Sequence, residues 1–154
     1  MPVLFIILSG LAIILVLNSD LFAGTVNEMR TKKPSIPEKV AKMAQCIAKA
    51  EGFYVSGSVP QRARNPGDLK LPASMSPNGY LAGHTIFNTD AEGWAALYRQ
   101  IELMRNGTSK VYNLDMTFEQ VARLYAENWQ PWLNNVVSCI GVTQETTLRE
   151  FFEG

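Results

Sequence analysis

A chain of 154 residues with 47% apolar content carries material for one domain with a core of its own. Its 14 Lys and Arg balance 14 Asp and Glu, which leaves no global positive field of the kind duplex nucleic acid selects, so no nucleic-acid partner is expected. One His and two Cys are too few for the common tetrahedral zinc sites. No metal and no cofactor is expected, and with His84 as the sole imidazole, acid–base work falls mainly to carboxylates.

Val3 to Leu17 carry no charge, and continuing through Asp20 to Ala23 gives about 21 positions. At ~1.5 Å per residue, residues 3–23 would just cross ~30 Å of hydrocarbon as a helix. Residues 1–24 are therefore expected to form a transmembrane anchor or uncleaved signal that meets the lipid bilayer through residues 3–23. A cleavable signal fits poorly, because no basic side chain precedes the run and Leu21 stands where a small residue is preferred before a cut after Ala23. Arg30, Lys32, Lys33, Lys39, Lys42 and Lys49 follow the span. By the positive-inside rule they would hold the body on the cytoplasmic side. Residues 25–37 are polar, hold two prolines and lack periodicity, as a linker does. The folded body is placed at residues 38–154.

In the body, Val40, Met43, Ala44, Ile47 and Ala50 recur at helical spacing after Pro37, which suits a first turn. Glu51 lies eleven positions after Val40 and returns to within about 20° of it, so a carboxylate projects from the apolar stripe. Gly52 then stops the helix. Residues 53–88 are dense in Gly, Pro, Ser and Asn, with Thr85 to Phe87 as the one expected strand. About 35 residues is too long for an idle connection, so this lobe is expected to line something. Thr89 with Glu92 caps a helix through Trp94, Leu97, Tyr98, Ile101 and Met104 that ends at Asn106 and Gly107. Thr117 with Gln120 caps another, Pro131 opens a third that Gly141 closes, and Thr143 is placed as the cap of the last. The fold class is mainly α: one small helical domain with an irregular, cleft-lining lobe after its first helix, behind an N-terminal transmembrane helix.

A carboxylic acid walled by apolar groups loses solvation of its charged form, so its proton affinity rises toward the working pH and it can give and retake a proton. Glu51 has that setting. The plain alternative is a helix-terminal Glu turned to solvent or paired with Lys49 or Arg64. Asp90 and Glu92 most simply serve the N-terminus of their helix, while Asp68 and Glu127 stand in less regular sequence. Tyr80, Tyr125, Trp129 and Trp132 could wall a sugar site, since an amphipathic ring offers a flat apolar face; core packing is the alternative for the tryptophans. Cys46 and Cys139 lie on two different helices, and a bridge and two buried thiols both stay open.

AKAEGF at 48–53, RARNPGDLKL, FNTDAEGWAAL and LYAENWQPWLNNVVSCIGV, in that order, resemble the lysozyme-like lytic transglycosylases, nearest a small branch found in bacteriophage structural proteins and bacterial genomes. The resemblance covers residues 38–152. It implies an α+β lysozyme-like fold and Glu51 as the single catalytic acid and base, cleaving the bond between N-acetylmuramic acid and N-acetylglucosamine in peptidoglycan with closure of a 1,6-anhydro ring. It further implies substrate contacts at Asn65, Gly67, Asp68, Tyr125, Asn128 and Asn135, to which Tyr80 and Trp129 are added as stacking faces for the sugar, and a site on a bacterial inner membrane facing the periplasm, or on a virion membrane. That placement is opposite to the one the basic residues after the span suggest. Gly52 stands where many relatives have Ser, Lys70 where Gln is usual, and Ala126 departs from the family's Tyr-Asn pair. Hydrolysis in the manner of a lysozyme, with Asp68 as partner, and a non-catalytic wall-binding or virion structural protein are the alternatives.

Overall fold

The computed structural model describes residues 36–154 apart from Pro77, together with the backbone of residues 7, 8, 11 and 12. The chain divides at Ser35 and Ile36 into two units. In the first, β1 (Ile7–Leu8) and β2 (Leu11–Ala12) pair antiparallel, Ile7 opposite Ala12 and Leu8 opposite Leu11. Four residues of the expected helical span are thus extended, in a run that is rich in β-branched side chains and broken by the turn-forming pair Ser9-Gly10. The rest of that span, and the linker up to residue 35, lie outside the described residues. Among the described residues, no helix is long and apolar enough to cross a membrane.

The second unit is mainly helical with one small sheet. Its helices are α1 (Glu38–Ala50), α2 (Val59–Arg62), α3 (Asp90–Arg105), α4 (Phe118–Tyr125), α5 (Trp129–Ile140) and α6 (Leu148–Glu153). Val40, Met43, Ala44 and Ile47 of α1 pack against α3 and α5, where Leu97, Ile101, Met104, Leu133 and Val136 complete a dry centre with Phe118 and Val121 of α4 and Leu148 of α6. Full burial of such side chains contributes roughly 1.5–3 kcal/mol each, which is why the 3.6-residue stripe predicts the core so closely.

Local chemistry sets the helix ends. Thr117 and Gln120 form a complete capping box, and Gly107 and Gly141 take φ of 66° and 89° just past α3 and α5. Thr89 caps α3 as expected, but the Glu92 carboxylate reaches back to the Asn88 amide rather than to that of Thr89. Two boundaries differ from expectation. Thr147, not Thr143, caps α6, because only Thr147 has a glutamate three residues on to complete its box. Pro131 lies inside the first turn of α5, which starts two residues earlier at Trp129. The sheet also differs: β3 (Tyr80–Leu81) pairs with β4 (His84–Thr85) through Ala82 and Gly83, both at positive φ as a two-residue hairpin with primed turn geometry requires.

Cys46 on α1 and Cys139 on α5 form a disulfide, with Cα atoms 5.6 Å apart, so the bridge is realised and the two-thiol alternative falls. It closes 93 residues, a loop for which chain-entropy reasoning assigns about 4–5 kcal/mol.

Candidate functional site

The end of α1 shows how Glu51 is aimed. The Gly52 amide donates to the Lys49 carbonyl and the Phe53 amide to the Ala48 carbonyl, with Gly52 at φ 75°. That is a Schellman ending, which a left-handed residue alone can close. Gly52 is therefore a structural choice: any L side chain, Ser included, would be strained there. Glu51 is the last residue before the chain turns away, and its carboxylate opens into a cleft of about 760 Å³ between α1, α4, α5 and the lobe. Trp132 Nε1 donates to Glu51 Oε1 at 2.7 Å. Burial first, then the negative charge of Asp68, push the Glu51 pKa from 4.5 to about 7, against the lowering effect of that indole hydrogen bond. Near neutral pH the group holds a proton as often as not. It is poised to donate one and recover it, and the indole N–H stabilises the carboxylate left behind.

This balance can be read out. Replacing Trp132 by Phe keeps the ring and removes the donor, so the Glu51 pKa should climb above about 7 and the alkaline limb of any Glu51-dependent pH–rate profile should move to higher pH. A limb that stays put or moves to lower pH would show that the indole does not act on the carboxyl.

The lobe supplies the facing wall. Asn65 is fully buried: its amide nitrogen donates to the carbonyls of Leu69 and Thr85, and its amide oxygen accepts from the Leu69 amide. It is thus no substrate contact, since it has no exposed surface and its three hydrogen bonds tie the 65–69 turn to β4. Gly67 lines the cleft, and a Cβ there would stand 2.8 Å from Leu97 Cδ1 and 3.1 Å from the Tyr125 hydroxyl. The Tyr125 hydroxyl donates to the Gly67 carbonyl at 2.8 Å, and the ring stacks on Trp132 with centroids 4.8 Å apart. Burial raises its pKa well above the ordinary range, with the charge of Glu51 adding to that, so this hydroxyl acts as a fixed donor. Asp68 and His84 face the cleft together, and Lys70 reaches from the same loop to Glu127 at 3.3 Å.

The expected contacts divide accordingly. Glu51, Gly67, Asp68, Tyr125, Asn128 and Asn135 line one cleft. Tyr80 does not line it: exposed on β3, it turns its hydroxyl back to the Leu71 carbonyl at 2.8 Å. Trp129 does not either, since the Arg123 guanidinium covers its ring at 3.8 Å from the centroid. Trp132, left between wall and core, is both, being almost fully buried while its nitrogen serves Glu51. A buried indole N–H needs an acceptor, and that requirement is the only sequence signal that could have linked it to a carboxylate 81 residues away. Arg123, Leu124, Tyr112 and Gln100 also line the cleft without having been singled out. Among the described residues no three His, Cys, Asp or Glu side chains gather as metal ligands.

Comparison with family models, with curated proteins and with solved structures gave no match to this chain.

Proposed function

We propose that residues 36–154 are a glycan-cleaving domain of lysozyme-like type. More particularly, we propose a peptidoglycan lytic transglycosylase, in which Glu51 protonates the oxygen between N-acetylmuramic acid and N-acetylglucosamine. The observation that carries this reading is one carboxyl group, at the end of the central helix, half-protonated near neutral pH and facing a cleft of about 760 Å³. The blocks behind the family resemblance support it, because three of them converge on that cleft: 48–53 through Glu51, 62–71 through Gly67 and Asp68, and 124–142 through Tyr125, Asn128, Trp132 and Asn135. In the proposed reaction Glu51, once deprotonated, takes the proton of the muramoyl 6-hydroxyl as that oxygen closes on C1. The nucleophile belongs to the substrate and is held beside the reacting carbon, so one acid suffices.

The disulfide favours an oxidising compartment. We therefore place the domain on the periplasmic side of a bacterial inner membrane or on a virion membrane, held there by residues 3–23, against the cytoplasmic side that the basic residues indicate. Asp68, on the same cleft, supports a second reading in which water is the nucleophile and the enzyme is a hydrolase.

Digestion of purified murein sacculi by the full-length chain, followed by mass spectrometry, tests both. Anhydromuramoyl fragments, lighter by one water than reducing-end fragments, are expected. Reducing ends alone would make it a hydrolase. Tight sedimentation with sacculi and no soluble fragment would overturn both readings in favour of a wall-binding structural protein.

A further inference from the structure

The cleft has a neighbour on its α4 side. A shallow groove of about 450 Å³ lies between that helix and the loop before it, lined by Asn113, Asp115, Met116, Gln120, Arg123 and Leu124. Arg123 and Leu124 line the cleft as well, so the groove adjoins the cleft along those two side chains. Leu124 follows buried Val121 by three positions and would share its burial on an ordinary amphipathic helix, yet 53% of it meets solvent. Among the described residues seven large apolar side chains are exposed, and of these only Leu124 and Val111 line the cleft. Apolar surface left open beside a site, in a domain that buries the rest of its core, is surface kept for a ligand.

We propose that this groove is a peptide subsite: it receives the short peptide carried on the lactyl group of the muramoyl sugar, with small apolar side chains against Leu124 and Met116 and a free carboxylate at Arg123. The inference rests on the glycan-cleaving reading of the cleft and deepens it, by naming peptide-bearing strands as the preferred substrate over bare ones. A linear glycan occupies the length of a cleft, whereas a substituent on one of its sugars has to leave from the side. An adjoining groove gives that branch a place to lie.

The lining separates a peptide from other occupants. No aromatic ring stands among the residues of the groove, so a further sugar would find no flat face to stack on. Leu124 and Met116 offer aliphatic and thioether surface instead, which adapts to small, irregular apolar groups. The groove is also too small for a second copy of the chain, since a stable interface buries about 800 Å² on each partner. Arg123 is held in place: Glu119 accepts from its Nε at 3.0 Å and from its Nη2 at 2.7 Å, and the guanidinium lies 3.8 Å from the centre of the Trp129 ring. Its Nη1 takes no part in those bonds and is the donor left for a carboxylate. Asp115, the one acid of the groove, is paired with Arg149 at 3.0 Å, which lessens the repulsion an anionic peptide would meet.

Two substrates give the test: soluble murein strands with uncrosslinked peptides, and the same strands after an amidase has removed the peptides and left free lactyl carboxylates. For the full-length wild-type chain, kcat/KM on peptide-bearing strands should exceed that on bare strands about tenfold, through KM rather than kcat. Leu124→Ser and Met116→Gln should each bring that ratio close to unity. Both substrates meet the same folded fraction, so any loss of stability in a variant cancels from the ratio. Arg123→Gln should lower it about threefold, as loss of an exposed charge contact does. Val55→Ser, at a similarly exposed side chain that lines neither the cleft nor the groove, should leave it at the wild-type value. A wild-type ratio near unity, or a ratio that survives both Leu124→Ser and Met116→Gln, would overturn the peptide subsite and leave the glycan-cleaving reading standing. A preference for bare strands would overturn it as well, by showing that the lactyl carboxylate and not the peptide is recognised. A wild-type chain that releases no fragment from either strand would bring down both.

Discussion

Glu51→Gln should abolish release of soluble muropeptides, with a loss of about a thousandfold, while the folded domain becomes more stable at alkaline pH. The amide matches the carboxyl in size and can still accept the Trp132 hydrogen bond, but it has no proton to give. The stability effect follows from linkage. In the unfolded chain the Glu51 pKa is near the ordinary 4.5, and in the folded domain it is raised to about 7. The folded state thus holds the proton more tightly, and as pH rises through that window the wild type loses up to roughly 3 kcal/mol that the Gln variant does not lose. Melting curves at pH 4 should nearly coincide, and at pH 8 the variant should melt higher. Undiminished murein release by Glu51→Gln would end the enzymatic reading. Coinciding melts at pH 8 would show that the side chain is not desolvated.

Gly93→Ala should destabilise the domain even though alanine is the better helix former. Gly93 is the fourth residue of α3, and a Cβ added there would fall 1.9 Å from the Arg64 carbonyl oxygen and 2.8 Å from Pro66 Cδ. The closest contact is backbone, which no side-chain rotation relieves. The helix and the 64–68 turn must separate, and overpacking of this kind costs about 1–3 kcal/mol net of a propensity gain near 1 kcal/mol. For a domain of this size that corresponds to a fall in melting temperature of about 4–12 °C. Because Gly67 and Asp68 follow directly, murein release should fall with it. Ala95→Ser, on the exposed face of the same helix, should change neither. A Gly93→Ala chain that melts at or above wild type would show that the turn does not dock on α3. The same contact ties two segments of the chain together: the glycine of FNTDAEGWAAL is the seat on which RARNPGDLKL rests.

How far the site could be read in advance depended on the range of the forces involved. The Thr117–Gln120 box, the glycine ends at 107 and 141 and the apolar stripe of α1 were legible because each is decided within one or two helical turns. Thr143 was mistaken for a cap because the right residue type stood four positions too early. Asn65 was assigned to the cleft on its block alone, yet it has no exposed surface and its three hydrogen bonds go to Leu69 and Thr85 inside the lobe. Trp129 was likewise plausible as a sugar wall until Arg123 was found over its ring.

By itself the sequence determined that a carboxylate would end the first helix in line with its apolar face, since periodicity and a following glycine are properties of near neighbours. Only the tertiary structure decided what that carboxylate is worth chemically. Its proton affinity depends on desolvation, on an indole 81 positions away and on the charge of Asp68 in the lobe. The pairing of Cys46 with Cys139 was settled at the same level. Electric fields and solvent exclusion act through space, and only the packed chain specifies which distant residues share that space.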